Sequence, residues 1–569
     1  MRYLALATDY DGTLATNGKI GGEAMEALMR LRASGRRVIL VTGRRLEDLR
    51  SVLAEMNIFD CIVAENGAVL YVPQTKEEIL LSRPLPASFV DRLRELGVPN
   101  IEVGQAIVAT TIPHQNAVLQ AIQESGLELL IVFNKNAVMV LRTGVNKASG
   151  LSVALRRLGL SYHEVVGVGD GENDQSFLER CECSVAVANS AASILELADV
   201  TTRGAAGSGV AELLNELIAD DLRRMESKST RNRIALGLLQ DGQPLTISAY
   251  GANILIVGPS GSGKSTITTG IVERLIEQSY QVCIVDPEGD YGISNDVVAL
   301  GDRSRAVSIN EVLSILEDPK MNASLNLLGI DLADRPGFFG QLLPSLRTLR
   351  MRTGRPHWLI FDEAHHLVPV DWGHLPEILP QRLGETVFVT VHPDHLPDAI
   401  LAMIDVVVAV GPSPRNAIVN FCTARGLPLR WPEGLDHRKG SAVVWFPTAG
   451  SPPTLVRIMA PRGLRIRHRR KYAEGNMQYN SFYFRGPSNR HNLKAHNLAI
   501  FSQIAEGIDE ETWLFHLRRH DYSHWLRNAV KDPYVAEQVA GTELQFPDDA
   551  RESRRLIRSL IEARYTLPE

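Results

Sequence analysis

Cysteine is nearly absent. Five thiols (Cys61, Cys181, Cys183, Cys283 and Cys422) in 569 residues are too few and too scattered for a disulfide framework, which fits a reducing compartment. Cys181-Glu182-Cys183 lies in an apolar, strand-like stretch with no second pair nearby and reads as buried thiols rather than half a metal site. Long apolar runs are missing as well. The longest, Ala399 to Val410, is interrupted by Asp405 and falls short of the roughly 20 residues that a membrane-spanning helix needs. The opening MRYLALATDYDG reaches an aspartate by Asp9 and lacks the basic start and apolar core of a secretory signal, so a cytoplasmic protein with no membrane partner is expected. Nor is there an excess of one charge: 60 Lys and Arg against 66 Asp and Glu give a net charge of -6, which does not imply wholesale adhesion to nucleic acid. With 44% hydrophobic and 22% charged residues, collagen-like, disordered and disulfide-scaffold classes are excluded.

What remains is a globular chain long enough for three or four domains at about 150 residues each. Over 1–222 short β-branched runs alternate with helical patterns, the signature of βαβ units around a parallel sheet. Within it, from about residue 81 to 143, the order changes to helix, two short strands, helix, two short strands, which predicts a small α+β cap. The stretch 223–234, beginning RRMESKSTRNR, has no apolar period and is expected to be a linker. A second α/β domain is expected over 235–461. A mainly helical domain follows over 462–569, opening with RGLRIRHRRK, in which six of ten residues are Arg or Lys.

In the first domain Asp9 and Asp11, in DYDGTL, follow an apolar strand, so both carboxylates sit where open α/β sheets bind ligands. Residues two apart on a strand face the same way and can share a site. Such a pair suits attack by one carboxylate on phosphorus while the other exchanges a proton with the leaving oxygen and then with water. Three further segments offer the charge neutralisation this needs. Thr42 and Gly43, in VTGR, end the next strand. Lys147, in NKASG, opens a helix after the cap. Asp170, Asn173 and Asp174, in DGEND, follow the strand VVGVG and offer hard oxygens suited to Mg²⁺.

These four ordered segments resemble the haloacid dehalogenase (HAD) superfamily of aspartate-nucleophile phosphatases. The resemblance covers about residues 1–222 and implies a Rossmann-like sheet. It implies Asp9 as nucleophile, Asp11 as general acid/base, Thr42, Gly43 and Asn173 at the phosphate, Lys147 on the phosphoryl oxygens, and Asp9, Asp11, Asp170 and Asp174 around Mg²⁺. Asn173 is expected to support Lys147 or the phosphate. ENGA, Glu65 to Ala68, and the position of the cap look like the Cof-type subgroup, whose smallest caps resemble those of archaeal phosphoglycolate and sugar-phosphate phosphatases. Relatives that keep a long-lived aspartyl phosphate have threonine at the position of Asp11, so its carboxylate argues for rapid hydrolysis.

A second site is read from Gly258-Pro-Ser-Gly261-Ser-Gly263-Lys264-Ser265-Thr266, which follows the strand NILIV and opens a helix. Backbone N–H groups there cradle phosphates, Lys264 reaches the β and γ oxygens of ATP, and Ser265 holds Mg²⁺. The strand WLIF ends in Asp362-Glu363, a Walker B pattern in which Asp362 would hold Mg²⁺ through water and Glu363 would polarise the attacking water. Thr390 or His392, after TVFV, can serve as a phosphate sensor or be an ordinary buried strand end. Asp286-Pro-Glu288-Gly-Asp290-Tyr291 resembles the motif of the HerA/FtsK group of ATPases, over about residues 235–460. That resemblance implies ATP hydrolysis, a homo-oligomer through this domain and an arginine finger, with candidates such as Arg382 and Arg415. The chain departs from the group in having no glutamine on the usual sensor strand.

His516, His520 and His524, four apart, are expected along one helix face as a polar stripe beside Trp513 and Trp525. The basic run 462–471 is read as a solvated face; the alternative is contact with nucleic-acid phosphates or with the acidic faces of the other domains. The expectation is a Mg²⁺-dependent phosphatase for a small phosphate ester fused to an ATPase. The alternatives are an ATP-driven DNA- or protein-remodelling machine with an accessory phosphatase, and a kinase paired with an opposing phosphatase.

Overall fold

The computed structural model describes the chain except residues 1, 226–230, 290, 292–295, 373–378, 381–382, 436–439, 449, 460, 462–476, 478–480, 531 and 566–569; of 533 and 564 only the backbone is described. The basic run, Asp290 and Arg382 therefore lie outside the described residues, as does part of the expected linker.

The first sheet has eight strands in the order Val200–Thr201, Cys183–Ala186, Val165–Gly169, Ala5–Thr8, Arg37–Val41, Cys61–Ala64, Val69–Val72, Glu77–Leu80. The first six are mutually parallel and the last two pair antiparallel. Ala5–Thr8 is central, fully buried, and in register with Val165–Val168 on one side and Arg37–Leu40 on the other. A parallel strand covered on both faces reads as an unbroken apolar run, which is why ALAT and VVGVG show no alternation. The chain goes from this strand first to one neighbour and later to the other, so the order reverses at its carboxyl end and opens a crevice there.

The cap has the predicted order: helices Ala87–Glu95 and Gln115–Ser125, and an antiparallel sheet of Leu129–Asn134, Ala137–Arg142, Val108–Thr111 and Glu102–Val103. Strand alternation seats it. Val138 and Val140 face the cap helices, packing with Phe89, Leu93 and Val118. Met139 and Leu141, on the opposite face, pack with Ala68 of the core domain. Glu65 fastens this seat by accepting the backbone N–H of Gln105 at 2.9 Å and of Ala106 at 2.8 Å.

The second sheet has eleven strands. Seven are parallel, in the order Val406–Val410, Asn253–Val257, Thr386–Thr390, Trp358–Phe361, Val282–Asp286, Asn322–Asn326, Val297–Leu300. Four antiparallel strands, Ser441–Trp445, Thr454–Arg457, Arg233–Leu238 and Pro244–Ser248, extend it beyond Val406–Val410. Among its described residues the C-terminal region packs five helices, from Leu498–Gly507 to Ala550–Tyr565, around its own aromatic core of Phe484, Phe501, Trp513 and Tyr522. It also carries a hairpin of Phe482–Phe484 and Leu493–Ala495, three-residue strands too short to show a period in the sequence.

The histidine stripe does not lie on one helix. His520 takes a left-handed conformation (φ 56°) and separates the helices Glu510–Arg518 and Asp521–Asn528. His516 instead bonds Asp521 through Nδ1 at 2.8 Å and accepts the Arg485 N–H at Nε2 at 2.9 Å. Both ring nitrogens are thus committed, Nε2 to holding the hairpin against the helices and Nδ1 to joining one helix to the next.

The two sheets meet through the turns that feed their parallel strands. His163, just ahead of Val165–Gly169, stacks on Tyr280, just ahead of Val282–Asp286, with centroids 3.7 Å apart. Its Nδ1 bonds Glu182 at 2.7 Å, which also takes Arg2 at 2.6 Å and the Tyr280 hydroxyl at 3.0 Å. Burial alone would raise the Glu182 carboxyl, but the bonds from His163 and the charge of Arg2 outweigh it and hold it below the usual range. His357, ahead of Trp358–Phe361, contacts Glu164 at 2.5 Å, and Arg355 donates to the Gly159 carbonyl at 2.6 Å. The sheets therefore dock at their amino ends. Each carboxyl end lies four or five residues away, roughly 13–16 Å.

Gly150 sets the height of the helix Lys147–Leu158 over the Glu65–Gly67 turn: a Cβ there would stand 2.4 Å from Val63 and 2.7 Å from the Gly67 Cα. A mid-helix Gly→Ala exchange is usually stabilising. Here Gly150→Ala is expected to lower stability by about 1–3 kcal/mol, read as a lower thermal midpoint for the first domain.

Candidate active sites

Ala5–Thr8 runs directly into Asp9, and the strand delivers this carboxylate into the crevice, 5% exposed. Lys147 comes from the first turn of the helix after the cap. That start is fixed by Asn146, whose side chain accepts the Ser149 N–H at 2.9 Å while Ser149 Oγ accepts the Asn146 N–H at 3.0 Å. The Lys147 ammonium, fully buried, bonds Asp9 Oδ1 at 2.5 Å and also Asp174 Oδ1. The second oxygen of Asp174 accepts the backbone N–H groups of Asp170 and Gly171, each at 2.9 Å. Asp170 accepts the Thr13 hydroxyl at 2.9 Å.

Asp9, Asp170 and Asp174 each present an oxygen within 4.8 Å of the others. Three buried carboxylates converging in this way, with only hard oxygen donors, fit a divalent cation of the Mg²⁺ type. Without one, burial first and the charge of Asp174 second push the Asp9 carboxyl up to about 7, against the opposing pull of Lys147.

Asp11 stands in a different environment. It is partly exposed, and Arg44 holds it bidentately, Nε at 2.5 Å and Nη2 at 2.6 Å. Thr42 is buried at the end of Arg37–Val41, and its hydroxyl oxygen accepts the Arg44 N–H at 3.1 Å, leaving its proton to donate. Gly43 lies beside Asn173, whose Nδ2 is 3.6 Å from where a Gly43 Cβ would be. Asn173 donates to Asn66 Oδ1 at 3.3 Å. It thus braces the ENGA turn, and no bond joins it to Lys147, contrary to one of the two supports expected of it.

Two basic residues of this site escaped the sequence reading. Arg44 follows VTGR's glycine directly, and the motif that contains it was its signal. Lys135 had none: it lies at the tip of the cap hairpin between Leu129–Asn134 and Ala137–Arg142, and its Nζ is 3.0 Å from Asp170 Oδ2 and 3.4 Å from the Asp11 carbonyl.

In the second sheet Asn253–Val257 leads into the glycine-rich turn and the helix Lys264–Glu277. Gly261 and Gly263 take left-handed φ of 75° and 106°, and a Cβ on Gly258 would fall 2.3 Å from the Val410 carbonyl, so glycine is required at these positions. Lys264 folds back on the turn, donating to the Gly258 carbonyl at 3.0 Å. Ser265 and Thr266 lie in the first helical turn. Asp362 is buried at the end of Trp358–Phe361, and Glu363 follows with φ 41°.

Thr390, buried at the end of its strand, has its hydroxyl 3.3 Å from His365 Nδ1, and His365 lies 3.6 Å from Glu363. His392 belongs to the same group of rings, 5.2 Å from His395. Burial, with the nearby charges of His366, His395 and Lys264, pushes His365 down to about 4, so it is neutral at pH 7. Arg415 stands 5.9 Å from the Trp431 ring.

Fold and cleft define the first domain as a capped, doubly wound α/β hydrolase. Residues 6–100 and 98–214 match the family of haloacid dehalogenase-like hydrolases. The phosphoglycolate phosphatase of Methanothermobacter thermautotrophicus is 29% identical over 224 residues, covering 38% of this chain and 98% of that protein. The phosphoglycolate phosphatase of Halorubrum lacusprofundi is 30% identical over 222 residues, covering 37% and 96%. A solved haloacid dehalogenase-like hydrolase from Bacteroides thetaiotaomicron aligns with 20% identity and a TM-score of 0.34, over 38% of this chain and 99% of that one. Through its first domain the chain belongs to the haloacid dehalogenase-like hydrolases. Residues 234–334 match the central domain of helicase HerA, a span that includes the glycine-rich turn and stops short of Asp362.

A buried acid whose folded pKa lies above its unfolded value stabilises the fold below the unfolded value and loses that contribution as pH rises through the folded one. For Asp9 the window runs from 3.8 to about 7. In metal-free buffer the wild type is expected to lose stability relative to Asp9→Asn across that window, a difference read from thermal midpoints at stepped pH.

Proposed function

We propose that this chain is a cytoplasmic, Mg²⁺-dependent phosphatase for a small phosphate monoester, of the phosphoglycolate or sugar-phosphate type, joined to an ATP-hydrolysing HerA-like domain. The observation that carries the first half is the buried Lys147 ammonium shared by Asp9 and Asp174 beneath a seated cap. An Asp9 carboxylate oxygen attacks phosphorus, and the leaving alkoxide takes a proton from Asp11, giving an aspartyl phosphate. Asp11 then removes a proton from water, which attacks phosphorus and frees phosphate and Asp9. Lys147, the Thr42 hydroxyl and the backbone at Gly43 hold the phosphoryl oxygens, with Asn173 bracing that loop through Asn66. Asp9, Asp170 and Asp174 would hold Mg²⁺, which supplies charge neutralisation for the phosphoryl group; the Asp11 carboxylate, expected from the sequence to join them, is paired with Arg44 instead. Arg44 keeps Asp11 directed at the cleft. The cap favours a small substrate because a closed lid excludes bulk and water.

In the second domain Gly258, Gly261, Gly263 and Thr266 belong to the phosphate cradle, Lys264 binds the β and γ oxygens, Ser265 and Asp362 hold Mg²⁺, and Glu363 directs the attacking water. His365, neutral and between Glu363 and Thr390, fits a sensor that the missing glutamine would otherwise provide. The HerA likeness of residues 234–334 favours a second reading, an ATP-driven machine on DNA or protein, with assembly of several copies through this domain. The docking of the sheets at their amino ends disfavours a kinase and phosphatase sharing one bound ester, since the carboxyl ends lie on opposite sides of the interface.

Phosphate release from a panel of small esters with Mg²⁺ tests the proposal. Asp9→Asn is expected to abolish ester hydrolysis, by on the order of 10⁴-fold or more, with ATP hydrolysis retained; Lys264→Ala should do the reverse. A wild type that turns over no ester but hydrolyses ATP faster with DNA would replace this reading with the machine.

A further inference from the structure

The cap brings one cation into the cleft, and the reaction as written does not use it. Lys135 sits at a hairpin tip with φ 53°. Its ammonium bonds Asp170 Oδ2 and reaches the Asp11 carbonyl, while its side chain remains 59% exposed. It stands so close to Gly12 that a Cβ there would meet its Nζ at 2.8 Å. The phosphoryl group is already served by Lys147 from the floor of the cleft. Lys135 approaches from the cap, the side on which the leaving group of a bound ester must lie if the phosphoryl group is seated at Asp9.

Resting on the phosphatase reading, we infer that Lys135 determines substrate specificity: it pairs with a carboxylate on the leaving group and selects short phosphate esters of hydroxy acids over neutral ones. The physical ground is a charge exchange. Asp170 is one of the three carboxylates that fit the divalent cation. A cation bound there would compete for Asp170 and release the lysine from that ion pair, leaving its ammonium available to an anionic leaving group. A compact ammonium on a flexible stem suits a single carboxylate, whereas a neutral sugar offers it only hydroxyls. The hairpin that carries it is held over the cleft by Met139 and Leu141, so the charge is delivered by a packed element.

Two matched phosphonates test this on the full-length chain with Mg²⁺. 3-Phosphonopropionate has the skeleton of phosphoglycolate with carbon in place of the bridging oxygen; propylphosphonate has a methyl group in place of its carboxylate. Calorimetric titration is expected to give the wild type a preference of about tenfold for the carboxylate. The preference should vanish in Lys135→Gln, persist in Lys135→Arg and invert in Lys135→Glu. The ratio of kcat/KM for phosphoglycolate over ethyl phosphate should fall in step. A preference unchanged in Lys135→Gln overturns the inference, and so does an equal weakening of both phosphonates, which marks a merely structural residue. A wild type that hydrolyses both esters but shows no carboxylate preference overturns the inference and leaves the phosphatase standing. A wild type that hydrolyses neither ester and binds neither phosphonate overturns both.

Discussion

One buried ammonium organises the first domain. Asp9, Asp170 and Asp174 reach the cleft from two different strand ends, and three carboxylates together without compensation would carry a desolvation and repulsion cost of several kcal/mol. Lys147 bonds two of them at once, which ties the strand Ala5–Thr8, the loop after Val165–Gly169 and the helix after the cap to a single point. The capping pair of Asn146 and Ser149, the close approach allowed by Gly150 and the turn Glu65–Gly67 under that helix all serve to hold the ammonium at that depth. The same turn receives the cap through Glu65, so the charge, the helix and the lid form one mechanical unit.

The second constraint is the docking of two sheets at their amino ends. It buries charged and titratable groups rather than an apolar face: Tyr280 bonds Glu182, His357 bonds Glu164, and His163 and Arg355 bond the Gln278 and Gly159 carbonyls across it, while Arg2 and His163 pair with Glu182 on the first-domain side. Burial holds His357 below its usual range despite the facing Glu164. Such a junction is demanding about geometry, because any member left unpaired costs more than the pair contributes. Each of the strands that start there ends at chemistry-bearing residues: Asp170 in the first sheet, and Asp286 and Asp362 in the second.

Much of this was legible in the residues. Unbroken apolar runs ending in DYDG, VTGR, DGEND and the glycine-rich turn marked strand ends with polar groups attached, and the structure has each of those segments at a strand end or helix start. The helix–strand–strand order of the cap was readable because its elements are long enough to show a period. Elsewhere the signal failed for identifiable reasons. Three histidines four apart suggested one helix, but a single left-handed residue, His520, divides it, and nothing local distinguishes that residue from its neighbours. The hairpin Phe482–Phe484 with Leu493–Ala495 is too short for alternation. Arg44 stood in VTGR itself, but its role depends on Asp11, 33 residues earlier, which no local pattern links to it.

By itself the sequence determined the fold class, the glycine-bearing turns at the strand ends and the identity of the carboxylates, because each depends on backbone geometry over a few consecutive residues. Only the tertiary structure decided that Asp9 is buried and paired with Lys147 while Asp11 is partly exposed and held by Arg44, that Lys135 enters the cleft from the cap, and that the two sheets join at their amino ends. Those outcomes depend on contacts spanning tens to hundreds of residues, such as Lys135 with Asp170 or Glu164 with His357. They are set by how a cap and two sheets pack rather than by any spacing along the chain.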